Sequence, residues 1–393
     1  GQNDLNNPNR IVRDGDKFGY NYDFNIKKGS VWLQGVFKFR KIDVFVATEH
    51  SYTSFFRKGN VKSGLFPNNS YGKSETQNFY NSGIKGGLTY KINGRNYIFA
   101  NGSYASRAPF FENAFIAPRT RDIVQDNLKS EEILSTEVGY VMNAPKLKIR
   151  ATAYYTQFKH GLDVLTFYHD EYRNFVNYAI SNIGKVHMGL EFGVEAKIYK
   201  GLSVTGAAAI GQYTYNTRQN ATVTIDNSSA IVDKDVTVYS KDFYVPTPQQ
   251  AYTIGLDYRS PKFWFLNVNF NYIDKMYLSY NPIRRTAAAV SGVPEGSDKW
   301  HQIVDQTKLD NQYTLDAFAG YSWLMNRKFK TLKKRHFLVF NVGVNNILNN
   351  RSIASGGFEQ LRYDFAEKNV NKFPDRRFYA YGINYFASVG LRF

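Results

Sequence analysis

The residues most able to do chemistry here are six histidines, a spaced pair of carboxylates and several arginine–aromatic clusters. His50, His160, His169, His187, His301 and His336 show no His-Glu-x-x-His or other metal-ligand spacing. Glu191 and Glu195 fall on one face of any extended strand, two side-chain repeats apart, which polar lining explains as well as paired-carboxylate chemistry does. No nucleophile elbow, phosphate loop or dinucleotide fingerprint occurs. The expectation is no catalytic residue, no metal and no cofactor. Binding chemistry is better represented. "FIAPRTRD" carries Arg119 and Arg121, and "FYHDEYRNF" carries Tyr168, Tyr172 and Arg173. Tyr280 precedes Arg284 and Arg285, and "SDKWHQ" supplies Trp300 and His301. Guanidinium forks beside aromatic faces suit an anionic or ring-bearing ligand.

The segments that must hold these loops alternate with period two. In "FGYNYDFNI", Phe18, Tyr20, Tyr22, Phe24 and Ile26 alternate with Gly19, Asn21, Asp23 and Asn25. In "VHMGLEFGVEAKI", Val186, Met188, Leu190, Phe192, Val194, Ala196 and Ile198 alternate with polar or glycine residues. The last strand sets Tyr385, Ala387, Val389, Leu391 and Phe393 on one side, with Phe386 alone out of class. Such alternation means strands with one apolar and one polar face. Soluble strands average about five or six residues, and many here run well past that. The polar face is built of Gly, Asn and Ser, where a soluble sheet would carry Lys and Glu. Aromatics make up 17% of the chain, with 30 Tyr and 31 Phe. These features predict an all-β fold: a transmembrane, antiparallel, up-and-down β-barrel. Only closure satisfies every backbone donor in lipid.

Connections alternate in length as such a barrel requires. Short ones fall at 40–41, 94–96, 143–146, 199–201 and 259–262, with a somewhat longer one at 326–335. Long ones span about 57–77, 107–130, 160–182, 216–246, 282–307 and 351–376. The short set is assigned to the periplasm and the long set to the cell exterior. Within "NIKKGSVW" the apolar parity switches from even (Phe24, Ile26) to odd (Val31, Leu33). A β-bulge around Gly29 predicts 13 strands, and a turn at 27–30 predicts 14. The 13-strand reading is preferred; it puts residues 1–17 outside the cell as a polar segment and makes 18–393 the C-terminal portion of a larger barrel.

Charge and composition narrow the partners. The chain has no Cys, so disulfides and thiolate metal sites are excluded. No apolar run reaches the length of a membrane helix, and the start lacks a signal-peptide core. The net charge of +17 implies an anionic partner, but the cations read as scattered between short turns and long loops. Anionic lipid headgroups or an anionic ligand fit that scatter as well as nucleic acid, for which no motif is present.

The chain resembles the TonB-dependent receptors. A strand ending in Arg107-x-Pro109 is followed by Asn127-Leu128-x-x-Glu131, then Glu137-x-Gly139 opening the next strand. "NIGKVHMGLEFGVE" is similar to the family's Asn-x-Gly-(x)-Gly-x-Glu strand, with Asn182, Gly184, Gly189 and Glu191. The long Asn- and Tyr-rich loops look most like Bacteroidota members. The resemblance implies a barrel of roughly 22 strands around a plug, neither of which is complete in these residues, since no segment matches the plug. It also implies TonB-coupled import of a siderophore, cobalamin, peptide or oligosaccharide, with TonB-ExbB-ExbD engaged through the plug. Lipopolysaccharide, a surface lipoprotein and the outer-membrane assembly machinery are further implied partners. Tyr385, Val389, Leu391 and Phe393 resemble the assembly signal. The alternatives are a passive 14-stranded channel or a structural barrel subunit.

Overall fold

A computed structural model describes residues 3–126, 128–228 and 230–393. Thirteen long strands follow one another in a single antiparallel sheet, each hydrogen-bonded to the next in chain order. They are β1 (Tyr22–Lys38), β2 (Ile42–Gly59), β3 (Gln77–Lys91), β4 (Asn96–Arg107), β5 (Glu131–Asn143), β6 (Leu147–His169) and β7 (Asn174–Tyr199). The remainder are β8 (Leu202–Tyr215), β9 (Gln250–Arg259), β10 (Trp264–Asp274), β11 (Gln312–Leu324), β12 (Phe337–Asn345) and β13 (Asn384–Arg392). Among the described residues β1 and β13 end the path and do not pair with each other. Among the described residues no helix is long and apolar enough to cross a membrane.

Neither explanation of the parity switch in "NIKKGSVW" holds. The β1–β2 register runs unbroken from Tyr22↔Gly59 to Lys38↔Asp43, with no bulge and no turn at 27–30. The strand geometry is constant; what changes along it is the environment of each face. Near the long-loop end Phe24 turns inward and packs on Phe111, beside Phe55. Further down, Val31, Leu33 and Phe37 lie on the other face, exposed as lipid-facing residues are. The count of 13 stands, and the 14-strand alternative falls with the turn it needed.

The expected loop at 160–182 is also corrected. β6 and β7 continue past a register shift between Phe158 and Asp163 and meet only at a tip of four residues, 170–173. The alternation fades there because this projecting hairpin buries both faces, so it reads as irregular. Gln219–Ile225 adds to the upper part of β7, pairing Asn220 with Ser181 and Ile225 with Val176, and a partner strand, Ile231–Val238, follows.

The largest apolar core therefore lies in the loops. Phe167, Val176, Tyr178, Ile180, Val223, Val238, Ile283, Ile303 and Tyr363 form one buried cluster, drawn from the projecting β6–β7 hairpin and three separate connections. The short helix α2 (Asp298–Val304) contributes Ile303 to this cap, and a second, α1 (Phe111–Ala114), belongs to a separate cluster with Phe55, Phe79 and Phe115. Ser297 caps α2 by accepting a hydrogen bond from the Trp300 amide at 3.2 Å.

Phe386, the residue out of class in the closing strand, has a packing role. It faces inward across from Gly343, and a Cβ added at that glycine would overlap the Phe386 ring. Phe99 covers Gly139 in the same way. These rings supply the cross-strand contact that the glycine cannot make.

Candidate functional site

Beneath the cap lies a cleft of about 530 Å³ opening toward the lumen. Its basic side chains are Arg107, which closes β4, His160 at the β6 irregularity, and Lys185 within β7. Its carboxylates are Glu131, Asp163 and Glu359, and Phe110, Phe158 and Ile183 provide apolar wall. Arg107 donates through Nε to Glu131, fixing the mouth of the cleft where β4 and β5 diverge. Asp163 lies above the bilayer-spanning part of β6. Burial pushes its carboxyl up, against the opposing pull of the Val164 amide and Lys185.

A buried residue, Gln219, and a partly buried one, Tyr280, are paired in the cleft lining. Tyr280 donates to Gln219 Oε1 at 2.9 Å. Burial pushes the Tyr280 phenol up to about 12, so it is a neutral donor at physiological pH. Gln219 is 1% exposed, and its Nε2 has no hydrogen-bond partner. An unpaired buried amide costs about 1–3 kcal/mol, and an acceptor on a bound ligand would satisfy it. The cleft is thus suited to an amphiphilic molecule with oxygen acceptors, held by cations on one side and rings on the other.

Of the ten loop residues picked out for ligand contact, Tyr280 alone lines this cleft. Arg121 and Arg285 are internal clamps. Arg121 is fully buried and donates to the Asp226 carbonyl at 2.6 Å, joining the 108–130 connection to the upper hairpin. Arg285 donates to the Val304 carbonyl at 3.0 Å, the Asp305 carbonyl at 2.7 Å and the Glu359 carboxylate. Arg284 donates to the carbonyls of Ile303 and Gln302 and lies 3.2 Å from Glu359. Burial pulls the Arg284 pKa down, with the Arg285 charge adding to it.

Others lie outside the cleft. Arg119 is exposed beside a smaller cavity with Tyr20 and Phe175. Tyr168, Tyr172 and Arg173 cluster at the hairpin tip, where Tyr172 stacks on His169 at 4.4 Å. Trp300 and His301 sit on α2, with His301 Nδ1 3.2 Å from Asp305.

The motif residues are better placed than the loop candidates. Arg107, Pro109 and Glu131 form cleft wall, Glu137 accepts from Asn101 at 2.6 Å, and Leu128 packs on the Phe55 cluster. Gly189 and Glu191 face the lumen, and Asn127 lies outside the described residues. Tyr385, Val389, Leu391 and Phe393 are exposed on the outer face. Sequence reading missed His160, Asp163, Lys185, Gln219 and Glu359. Strand parity would have set Lys185 inward with His187 and Gly189. Nothing local marks Gln219 or Glu359, which the cap brings in from distant connections.

Comparison with known proteins agrees with this architecture. A family model described as TonB dependent receptor-like, beta-barrel, matches residues 1–347. The copper transporter OprC superposes with a TM-score of 0.62 at 14% identity, covering 99% of this chain and 50% of that one. The siderophore receptor PiuA from Acinetobacter baumannii gives 0.58 at 13%, covering 94% and 44%. The ferric-catecholate import receptor Fiu from K12 E. coli gives 0.56 at 13%, covering 98% and 47%. The chain thus spans about half the length of these structures. No curated protein sequence matches it. Thirteen consecutive antiparallel strands, the motif order and the family match converge, and the chain belongs to the TonB-dependent receptor barrels of the outer membrane.

Proposed function

We propose that this chain is the C-terminal portion of the barrel of an active importer, residues 18–393 forming barrel and cap and residues 1–17 a polar extracellular segment. A ligand enters through the long loops, is held in the cleft under the cap, and moves inward by TonB-coupled energy. TonB-ExbB-ExbD acts through a plug contributed outside these residues. The observation that carries this reading is the cleft itself, whose lining includes the buried Gln219 with its unpartnered amide nitrogen, together with Lys185 and Tyr280. The fold is shared with import receptors and a copper transporter, which supports import as the class. The mixed polar and apolar lining favours a siderophore, cobalamin, peptide or oligosaccharide over a bare ion. The Asn- and Tyr-rich loops favour a Bacteroidota-type receptor, for which a surface lipoprotein and lipopolysaccharide are the fitting outer partners.

The test is uptake by cells carrying the full-length receptor, using labelled members of those four ligand classes. Uptake of one class should disappear when TonB is deleted, and Gln219→Leu should lower it about tenfold, the worth of one lost hydrogen bond to a buried amide. Uptake that persists without TonB would overturn the energy-coupled reading in favour of a passive channel.

A further inference from the structure

The positive charge that looks scattered along the sequence is gathered by the fold onto one rim. The short connections and the strand ends beside them comprise residues 38–43, 91–96, 143–148, 195–201, 257–264, 324–337 and 390–393. They hold 18 of the 50 Lys and Arg residues but only three of the 33 carboxylates, Asp43, Glu195 and Asp257. The rest of the chain carries 32 cations against 30 carboxylates and is close to neutral. Nearly all of the +17 charge therefore sits on the periplasmic rim.

The three acids do little to neutralise it. Asp43 pairs with Lys91 at 2.6 Å, Glu195 with Lys148 at 3.0 Å and Asp257 with Arg259 at 3.4 Å. Each takes one cation, and the other fifteen have no carboxylate partner among the described residues. Those fifteen are exposed. The densest group, Arg327 to Arg335, lies on an ordered connection. Asn326 donates to the carbonyls of Leu332 and Lys334 at 2.9 and 2.7 Å and accepts from the His336 amide at 2.7 Å. The lysines between are left free to reach outward.

Apolar rings are interleaved with these charges. Phe39, Tyr199, Phe263, Phe329 and Phe393 are all exposed at the same level. Phe329 meets Trp323 edge-on, and Arg392 lies over the Phe337 ring at 5.4 Å. An acidic protein partner would need neither the rings nor a charge band running along the short connections of all thirteen strands. A bilayer interface needs both: rings at the headgroup level and cations against phosphate.

We propose that this rim is a binding surface for anionic phospholipid headgroups in the periplasm-facing leaflet, with Lys328, Lys330, Lys333 and Lys334 as its strongest element. The rim selects phosphatidylglycerol-type lipids over zwitterionic ones and fixes the depth of the barrel in the membrane. The surface is independent of whatever ligand the cleft takes.

The experiment uses the full-length receptor reconstituted in phosphatidylethanolamine vesicles. Electron spin resonance measures its association with spin-labelled phosphatidylglycerol relative to spin-labelled phosphatidylethanolamine. The expected preference for the anionic lipid is at least about threefold, falling toward unity in about 1 M salt, where charge is screened within roughly 3 Å. Lys328, Lys330, Lys333 and Lys334 changed together to Gln should lower the preference. The same change at Lys58, Lys129, Lys241 and Lys299, on the long-loop side, should leave it intact. A wild-type ratio near one, needing no variant, overturns the proposal. So does an unchanged ratio in the rim variant, including the case where that variant instead loses a co-purifying acidic protein.

Discussion

Glu359 Oε1 accepts a hydrogen bond of 2.8 Å from Arg285 Nη2, and both side chains are almost wholly out of solvent. The contact joins two connections 74 residues apart in sequence. Arg284 approaches the same carboxylate at 3.2 Å, so one anion serves two cations. Removing one member of such a group strands buried charge and costs about 3–5 kcal/mol. Glu359→Ala should therefore loosen the cap while leaving the barrel folded. Protease cleavage within 351–376 should rise, and the slow gel mobility shift of a heat-modifiable barrel should persist. Equal protease resistance in variant and wild type would show that the apolar cluster alone holds the cap.

A second prediction concerns the inner wall. Gly343→Val places a branched side chain where the Phe386 ring lies, and overpacking of this kind costs about 1–3 kcal/mol. Phe386→Ala in the same chain should recover most of that loss, because the two residues share one space. Thermal midpoints of barrel unfolding, followed by the gel mobility shift, measure the coupling in the single and double variants; additive losses would mean that the ring and the glycine are independent.

His169 predicts a pH response confined to the cap. It lies at the tip of the projecting hairpin, above the bilayer, stacked on Tyr172 and on Phe365 of the 346–383 connection. Burial pushes its pKa down to about 4, with Asp170 opposing the shift. The unfolded tip binds a proton near the ordinary histidine pKa of about 6.5, so the neutral folded form contributes its full stability above that pH. The contribution falls as pH drops from about 6.5 toward 4. Protease sensitivity of the cap should rise over that window in the wild type and stay flat in His169→Phe.

Arg107 and Glu131 test cleft against scaffold. Their ion pair is largely exposed on the arginine side, and exposed pairs contribute about 0–1 kcal/mol. Arg107→Gln should therefore leave the thermal midpoint nearly unchanged while weakening ligand capture severalfold in the full-length receptor. A large fall in stability without a change in capture would make the motif arginine structural.

The barrel was legible because each strand needs apolar side chains at every second position, on its lipid face, and not on its lumen face. Phe393 back to Tyr385 shows that rule with one exception, Phe386, which only the opposing Gly343 explains. The cap was not legible for a physical reason of its own. Phe167, Val176 and Ile180 pack on residues from three other connections, so their hydrophobicity follows no local period. Arg285 reads as a free ligand fork until Glu359, far along the chain, is placed against it. The motif residues Arg107 and Glu131 sit at strand ends, where the period still holds.

Because the largest apolar core lies among the loops, this protein solves two folding problems in two solvents. The barrel is held by a hydrogen-bond ladder that lipid rewards, and the cap by hydrophobic burial that only water rewards. Urea should then melt the cap while the barrel survives, and a harsh detergent should strip the barrel's surroundings before it opens the cap. A fold so divided can change its cap without renegotiating its place in the membrane.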